Sequence, residues 1–203
     1  PTGTAKTLKE IKNFLNNLKN DILVFLDQAY YEYIEGSEFD IPFSLIDDHP
    51  NLVISRSFSK AHGLAALRLG FCVSNPELSD YLNRVRQPFN ANSLALDLGK
   101  VALSDQEHIR KSVKINSFGM ERVKKAFANL DYNFIESLGN FISFDAKQDS
   151  DVAFQYFLEK GVILRSLKVY EMPQHLRVSI GTEEEMDFFL QVLEDYEKDL
   201  SKK

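Results

Sequence analysis

A single lysine stands among small hydroxyl residues in one loop, with an arginine eight positions after it. Lys60 follows Ser57 and Ser59, and the arginine is Arg68. Hydroxyl and guanidinium groups donate hydrogen bonds to phosphate, and an amine can condense with an aldehyde. The loop therefore suits pyridoxal phosphate, which carries both a phosphate and an aldehyde. Taken alone, such a pattern is more often a basic surface loop.

A second polar group follows an apolar run nearer the N-terminus. Residues 22–26 are apolar without alternation, which predicts a buried strand of a parallel sheet ending at Asp27. Ligands of open α/β sheets gather at the carboxyl ends of strands, so Asp27 is placed to meet one. Tyr30 follows three residues later. Alone, an aspartate at a strand end is more often a cap or a turn residue.

The lysine loop resembles the Schiff-base lysine segment of fold-type I pyridoxal-phosphate aminotransferases. That family has Ser/Thr-x-Ser-Lys followed eight residues later by an arginine, as this sequence does. The resemblance implies that Lys60 binds the cofactor as a Schiff base. It also implies that Ser57, Ser59 and Arg68 hold the cofactor phosphate.

Residues 27–30 are similar to the Asp-x-Ala-Tyr motif of the same family. There the resemblance implies that Asp27 pairs with the protonated pyridine nitrogen, which keeps the ring electron-withdrawing. It implies that Tyr30 donates a hydrogen bond to the phenolate oxygen of the ring. Two departures stand nearby: Gln28 replaces a frequent glutamate, and His62 replaces a frequent aromatic residue. His62 has either a proton-relay role or a packing or surface role.

Two arginines in the C-terminal half are candidate substrate ligands. The motifs around them are closest to those of histidinol-phosphate aminotransferases, whose Leu-Arg-x-Ser/Thr-x-Gly motif matches residues 176–181. The resemblance implies that Arg177 binds the anionic group of the substrate and that Arg165 assists with its phosphate. A guanidinium recognises carboxylate or phosphate in a bidentate manner. The alternative for each arginine is a structural role, such as an ion pair.

The sequence predicts an α/β fold with two parts. Residues 1–104 resemble part of the large cofactor domain of a fold-type I transferase, a mainly parallel sheet with helices, and residues 105–203 resemble its small α+β domain. Capping boxes at residues 7–10 and 104–107 predict helix starts. The other predicted strands are 52–55, 69–73, 132–135, 140–144, 162–164 and 176–180, and the other helices begin near residues 76, 93, 149 and 183.

Bulk composition excludes several classes of protein. The 203 residues are 44% hydrophobic, enough for one good core or two small ones. The net charge of −6 argues against a nucleic-acid partner. The single cysteine, Cys72, excludes an intrachain disulfide and favours a cytoplasmic location. No apolar run has membrane-spanning length, and the four histidines lack metal-ligand spacing, so we predict neither a membrane nor a metal.

The resemblance implies pyridoxal-phosphate-dependent transamination of small amino-acid-like substrates by a homodimer. Histidinol phosphate with 2-oxoglutarate and glutamate, in histidine biosynthesis, is the reaction it favours. Alternatives are a phosphothreonine decarboxylase, an aromatic aminotransferase, or a non-catalytic truncated remnant. The chain starts with Pro1, where the family carries Asn-Pro-Thr-Gly, and it resembles the C-terminal part of a protein of about 350 residues. We therefore expect the isolated chain to self-associate and to lack turnover.

Overall fold

The computed structural model describes residues 1–34 and 36–202, and the chain divides into two compact units. One unit is Ala5–Ser112, and the other combines Pro1–Thr4 with Val113–Lys203. The predicted domain boundary between residues 104 and 105 stays a prediction. Among the described residues, no helix is both long and apolar enough to cross a membrane.

The unit Ala5–Ser112 contains a three-stranded sheet. Strand β2 lies in the middle, parallel to β1 and antiparallel to β3. The strands are β1 Val24–Asp27, β2 Leu52–Ser57 and β3 Gly70–Ser74. The helices are α1 Leu8–Asn16, α2 Leu45–Asp48, α3 Pro76–Val85, α4 Ser93–Ser104 and the first part of α5 Gln106–Asn129.

The sheet of this unit has one well-covered face. A cluster of buried apolar residues from α1, the segment before α2, α2 and β2 packs together, and it consists of Leu15, Ile41, Leu45, Ile46, Leu52 and Ile54. The prediction that β1 is buried on both faces was wrong. Along β1, partly buried and exposed residues alternate, and Phe25 is 59% exposed. The reason is that side chains alternate between faces of a strand, and the described residues of this unit cover only one of them there.

The second unit is a four-stranded antiparallel sheet packed against helices. Its strands follow the order β4-β5-β7-β6, with β4 Phe134–Ile135, β5 Phe141–Asp145, β6 Arg165–Ser166 and β7 His175–Ser179. Helices α6 Ser150–Glu159 and α7 Glu183–Leu200 complete it. Its core holds the fully buried Phe127, Phe144, Phe157 and Phe189. The α+β architecture predicted for the C-terminal half agrees with this arrangement.

Two local predictions were wrong in detail. Helix α5 is not opened by a capping box at Ser104, because Ser104 ends α4 and the N–H of His108 donates to Asp105 Oδ1 at 3.0 Å. The strand predicted at residues 162–164 lies later, at β6, where Arg165 and Ser166 pair with β7. The capping box at Thr7 and Glu10 is confirmed.

Candidate cofactor site

Asp27 lies at the carboxyl end of β1 and is held there by two donors. Its register partner on β2 is Ser55, whose hydroxyl donates to Asp27 Oδ1 at 3.4 Å. The N–H of Ala29 donates to the same oxygen at 2.9 Å. The other oxygen, Oδ2, accepts no hydrogen bond from the described residues, and the side chain is exposed. The strand end therefore presents one fixed carboxylate oxygen and one that is open to a ligand.

Tyr30 and Lys60 come together although thirty residues separate them. Tyr30 precedes a 3-10 turn over Tyr31–Tyr33, and the Lys60 Nζ atom lies 5.1 Å from the centre of the Tyr30 ring. Lys60 is half-buried, and no carboxylate of the described residues lies within ion-pair distance of it. The amine thus lies beside an aromatic hydroxyl side chain and has no counter-ion within the described part of the chain.

The two serines and Arg68 form a connected group beside the lysine. The N–H of Ser59 donates to Ser57 Oγ at 3.0 Å, and Arg68 Nη1 lies 3.5 Å from Ser59 Oγ. Arg68 also donates to the Ala65 carbonyl at 2.8 Å. Its backbone is left-handed, with φ 51° and ψ 42°. Two hydroxyls and a guanidinium with no acidic partner among the described residues are suitable donors to a phosphate.

The lysine loop is fixed by the buried side chain of Phe58. Phe58 N–H donates to the Leu69 carbonyl at 3.1 Å, and the N–H of Leu64 donates to the Phe58 carbonyl at 2.9 Å. Phe58, Leu69 and Ala95 form a small buried cluster against α4. Helix α4 approaches so closely that a Cβ atom at Gly99 would lie 2.5 Å from Leu69 Cδ2. The backbone is therefore held on both sides of Lys60, and this fixes the position from which the lysine side chain extends.

The segment that carries Asp27 and Tyr30 is tied to β2 by Arg56, which was not a candidate residue in the sequence. Arg56 Nε donates to Gln28 Oε1 at 3.2 Å, and its Cζ atom lies 3.5 Å from the centre of the Tyr31 ring. The signal for it was present, because Arg56 is the residue between the two serines of β2 that precede the lysine loop. Arg56 packs the turn against the strand.

Arg165 and Arg177 lie directly opposite each other on β6 and β7 of the other unit. Arg165 Nη2 donates to the Tyr170 hydroxyl at 3.2 Å, and Arg177 Cζ lies 4.5 Å from the centre of the Phe141 ring. No carboxylate of the described residues lies within ion-pair distance of either guanidinium. Like charges directly opposite on neighbouring strands are destabilising. Two such arginines without an acid therefore suit an anionic ligand.

The donor set in the Ala5–Ser112 unit fits pyridoxal phosphate. It offers an amine for an aldehyde, hydroxyls and a guanidinium for a phosphate, and an open carboxylate oxygen for a ring nitrogen. The six predicted cofactor residues are all placed along the carboxyl ends of β1 and β2 and the loop that follows, and they are Asp27, Tyr30, Ser57, Ser59, Lys60 and Arg68. Their roles stay predictions.

The chain belongs to the class I and II aminotransferases. The family model described as "Aminotransferase class I and II" matches residues 1–193, which confirms the family predicted from the two motifs. Among curated proteins, this chain is 45% identical over 194 residues to histidinol-phosphate aminotransferase 1 of Nitrosococcus oceani, and the match covers 96% of this chain and 52% of the relative. It is 46% identical to histidinol-phosphate aminotransferase 2 of Pseudomonas aeruginosa, covering 95% and 52%. The chain thus spans about half the length of the curated relatives it matches.

Solved structures confirm the predicted fold class. A histidinol-phosphate aminotransferase from Sinorhizobium meliloti, solved in complex with pyridoxal-5'-phosphate, matches with a TM-score of 0.90 and 24% identity, covering 98% of this chain and 55% of that one. An L-threonine-O-3-phosphate decarboxylase from Porphyromonas gingivalis matches with a TM-score of 0.82 and 22% identity, covering 97% and 61%. At these identities, the likeness establishes the fold.

Proposed function

We propose that the complete protein carrying this sequence is a pyridoxal-phosphate-dependent aminotransferase. Its proposed substrates are histidinol phosphate and the 2-oxoglutarate and glutamate pair, and it is proposed to work as a cytoplasmic homodimer. The observation that supports the activity most is the grouping, around two strand ends, of two serines with a lysine, an arginine and a carboxylate that have no ion-pair partner among the described residues. The names of the relatives at 45–46% identity support the substrate.

Each residue of the site has a distinct proposed task. Bound pyridoxal phosphate supplies an electron-withdrawing ring that stabilises negative charge at the α-carbon of the substrate. Asp27 would favour the protonated form of the ring nitrogen, because a nearby carboxylate stabilises a positive charge. Tyr30 would donate its hydroxyl proton to the ring oxygen in a hydrogen bond. Lys60 would hold the cofactor and then, as a free amine, take the proton from the α-carbon through Nζ.

The remaining residues are proposed to recognise the anionic groups of the cofactor and of the substrates. Ser57, Ser59 and Arg68 would bind the phosphate of the cofactor. Arg177 and Arg165 would bind the anionic groups of the substrates, which would also relieve the repulsion between two opposed guanidiniums. A charge-assisted hydrogen bond contributes about 1.5–3 kcal/mol, so the loss of either arginine should weaken binding about 10- to 150-fold.

A phosphothreonine decarboxylase is the second candidate, because a decarboxylase acting on a phosphorylated amino acid shares the fold. It would use the same lysine and the same phosphate-binding arginines. The two candidates differ in the product, which is glutamate in one case and carbon dioxide in the other. An aromatic aminotransferase differs from both because its substrates carry no phosphate.

The test is a substrate comparison with the complete protein. We expect glutamate to form from histidinol phosphate and 2-oxoglutarate, and Arg177→Gln to raise the KM of the substrates it binds at least tenfold. Arg84→Gln is the matched control, because Arg84 is an exposed arginine paired with Asp80 on α3. Release of carbon dioxide from phosphothreonine without glutamate formation would instead establish the decarboxylase. Turnover of aromatic amino acids in preference to histidinol phosphate would establish the third possibility, and no turnover with any of them would refute the proposed activity.

A further inference from the structure

Two titratable side chains next to the candidate site face each other in a closed environment. Glu32 belongs to the 3-10 turn that follows Tyr30, and His62 lies two residues after Lys60. His62 Nε2 is 3.6 Å from Glu32 Oε1, and the two side chains are only 8% and 13% exposed. The functional site described above uses neither of them.

The surroundings of the pair leave each group dependent on the other. The His62 ring lies 5.0 Å from the Phe58 ring, and the remaining polar atoms, Glu32 Oε2 and His62 Nδ1, are buried without a hydrogen-bond partner among the described residues. The pKa of Tyr33 is raised mainly by burial and further by the negative charge of Glu32. The Glu32 carboxylate therefore lies close to Tyr33, which belongs to the same turn. A buried carboxylate that loses its partner is strongly destabilising.

We infer that Glu32 and His62 are positioning residues that fasten the turn carrying Tyr30 to the loop carrying Lys60. The contact joins two segments that are separated by thirty residues, next to the point where Lys60 Nζ lies 5.1 Å from the Tyr30 ring. A pair of apolar side chains could fill the same space, so the polar pair adds direction to the contact rather than volume. The inference rests on the proposed function for its purpose, and on the contact alone for its physical content.

Hydrogen exchange tests the fastening without any cofactor. Tyr33 N–H donates to the Tyr30 carbonyl at 3.0 Å, and Leu64 N–H donates to the Phe58 carbonyl at 2.9 Å, so these two amides report the turn and the loop. We expect both amides to exchange at least about tenfold faster in Glu32→Gln and also in His62→Phe. Glu38→Gln is the control, because Glu38 is an exposed carboxylate in the following 3-10 turn.

Two substitutions of His62 separate its ring from its nitrogens. His62→Phe keeps a ring on Phe58 and removes the nitrogens, whereas His62→Gln keeps an N–H group toward Glu32 and removes the ring. We expect the exchange rates of the two amides in His62→Gln to stay closer to those of the wild type than the rates in His62→Phe. The inference is overturned if His62→Phe stays closer, or if Glu32→Gln speeds exchange only in the turn and the His62 substitutions speed it only in the loop. If His62→Phe unfolds the chain, the β2 amides will exchange as fast as the other amides. The exchange rates in Glu32→Gln and His62→Gln then decide whether the contact holds the two segments together.

A second readout links the pair to the site in the complete protein. We expect the absorbance spectrum of pyridoxal phosphate bound at Lys60 to change in Glu32→Gln and His62→Phe, and to be nearly restored in His62→Gln. An unchanged spectrum in all three variants would overturn the link to Lys60. If the wild type itself does not bind the cofactor at Lys60, then the proposed function fails, while the exchange experiment still decides whether the contact fastens the two segments.

Discussion

Arg68 combines a strained backbone with a side chain that makes few protein contacts, and Arg68→Gly separates the two. The residue ends a 3-10 turn with φ 51° and ψ 42°. A left-handed backbone costs a non-glycine residue about 1–2 kcal/mol, whereas glycine loses about 0.5–1 kcal/mol more through its entropy on folding. Relief of the strain therefore stabilises Arg68→Gly by about 0–1.5 kcal/mol.

The loss of the Arg68 side chain should change the stability by no more than the relief of the backbone strain does. Both of its hydrogen bonds are exposed: the bond to the Ala65 carbonyl at 2.8 Å contributes about 0.5–1.5 kcal/mol, and the bond to Ser59, at 3.5 Å, is too long to add much. The two effects oppose each other, so the free energy of unfolding should change by less than about 1.5 kcal/mol. If Arg68 binds the cofactor phosphate, the affinity for pyridoxal phosphate should fall about 10- to 150-fold.

The assay measures urea unfolding by circular dichroism and cofactor affinity by absorbance titration in the complete protein. Glu171→Gly is a matched control, because Glu171 also ends a 3-10 turn with a left-handed backbone, at φ 62° and ψ 27°, and is exposed in the other unit. Its stability should stay the same or rise, and its cofactor affinity should be unchanged. The reasoning is refuted if Arg68→Gly loses more than about 2 kcal/mol of stability with unchanged affinity, because Arg68 would then be structural.

Three further predictions concern the second unit. Burial raises the pKa of Tyr196 from an ordinary 10.0 to about 12. The neutral hydroxyl of Tyr196 therefore contributes its full stability to the fold below pH 10, and this contribution is lost as the pH rises to about 12. In Tyr196→Phe, the fall in unfolding free energy at alkaline pH should be smaller by about 2–3 kcal/mol. Phe127→Ala, in the core, should lose about 3–5 kcal/mol in urea unfolding, whereas the exposed Phe118→Ala should lose less than about 1 kcal/mol. Gly119→Ala should lose about 1–3 kcal/mol by the same assay, because its Cβ atom would lie 2.5 Å from Ile180 Cγ2. The first prediction is contradicted if Tyr196→Phe shows the same pH dependence of unfolding free energy as the wild type. The second is contradicted if the two phenylalanine variants lose equal stability, and the third if Gly119→Ala keeps the wild-type stability.

Elements with strong local signals could be predicted from the sequence. Helix α7 begins near residue 183 as predicted, and in the structure Thr182 and Glu185 cap its start. The placement of the six candidate residues at strand ends and in the loop between two strands could be predicted from the apolar runs beside them, whereas their roles stay predictions. The choice between Ser104 and Asp105 as the cap of α5 was missed, because adjacent residues that can both cap a helix give the same local signal.

Features that depend on contacts distant in sequence could not be predicted. The exposure of Phe25 depends on which elements cover the sheet, and an apolar run does not specify that. The contact of Glu32 with His62 and the opposition of Arg165 to Arg177 arise from the loop geometry and from strand register. Register in turn is set by the pattern of the neighbouring strand rather than by either arginine.

The measurement that tests the central claim most directly is covalent mapping of the cofactor. The complete protein is titrated with pyridoxal phosphate, reduced with borohydride, digested, and its labelled peptides are identified by mass spectrometry. We predict saturable binding with the reduced adduct on Lys60 alone, and loss of the saturable absorbance band in Lys60→Arg. Weak labelling scattered over many lysines, or a saturable adduct on another lysine, would contradict the assignment of this loop as the cofactor site.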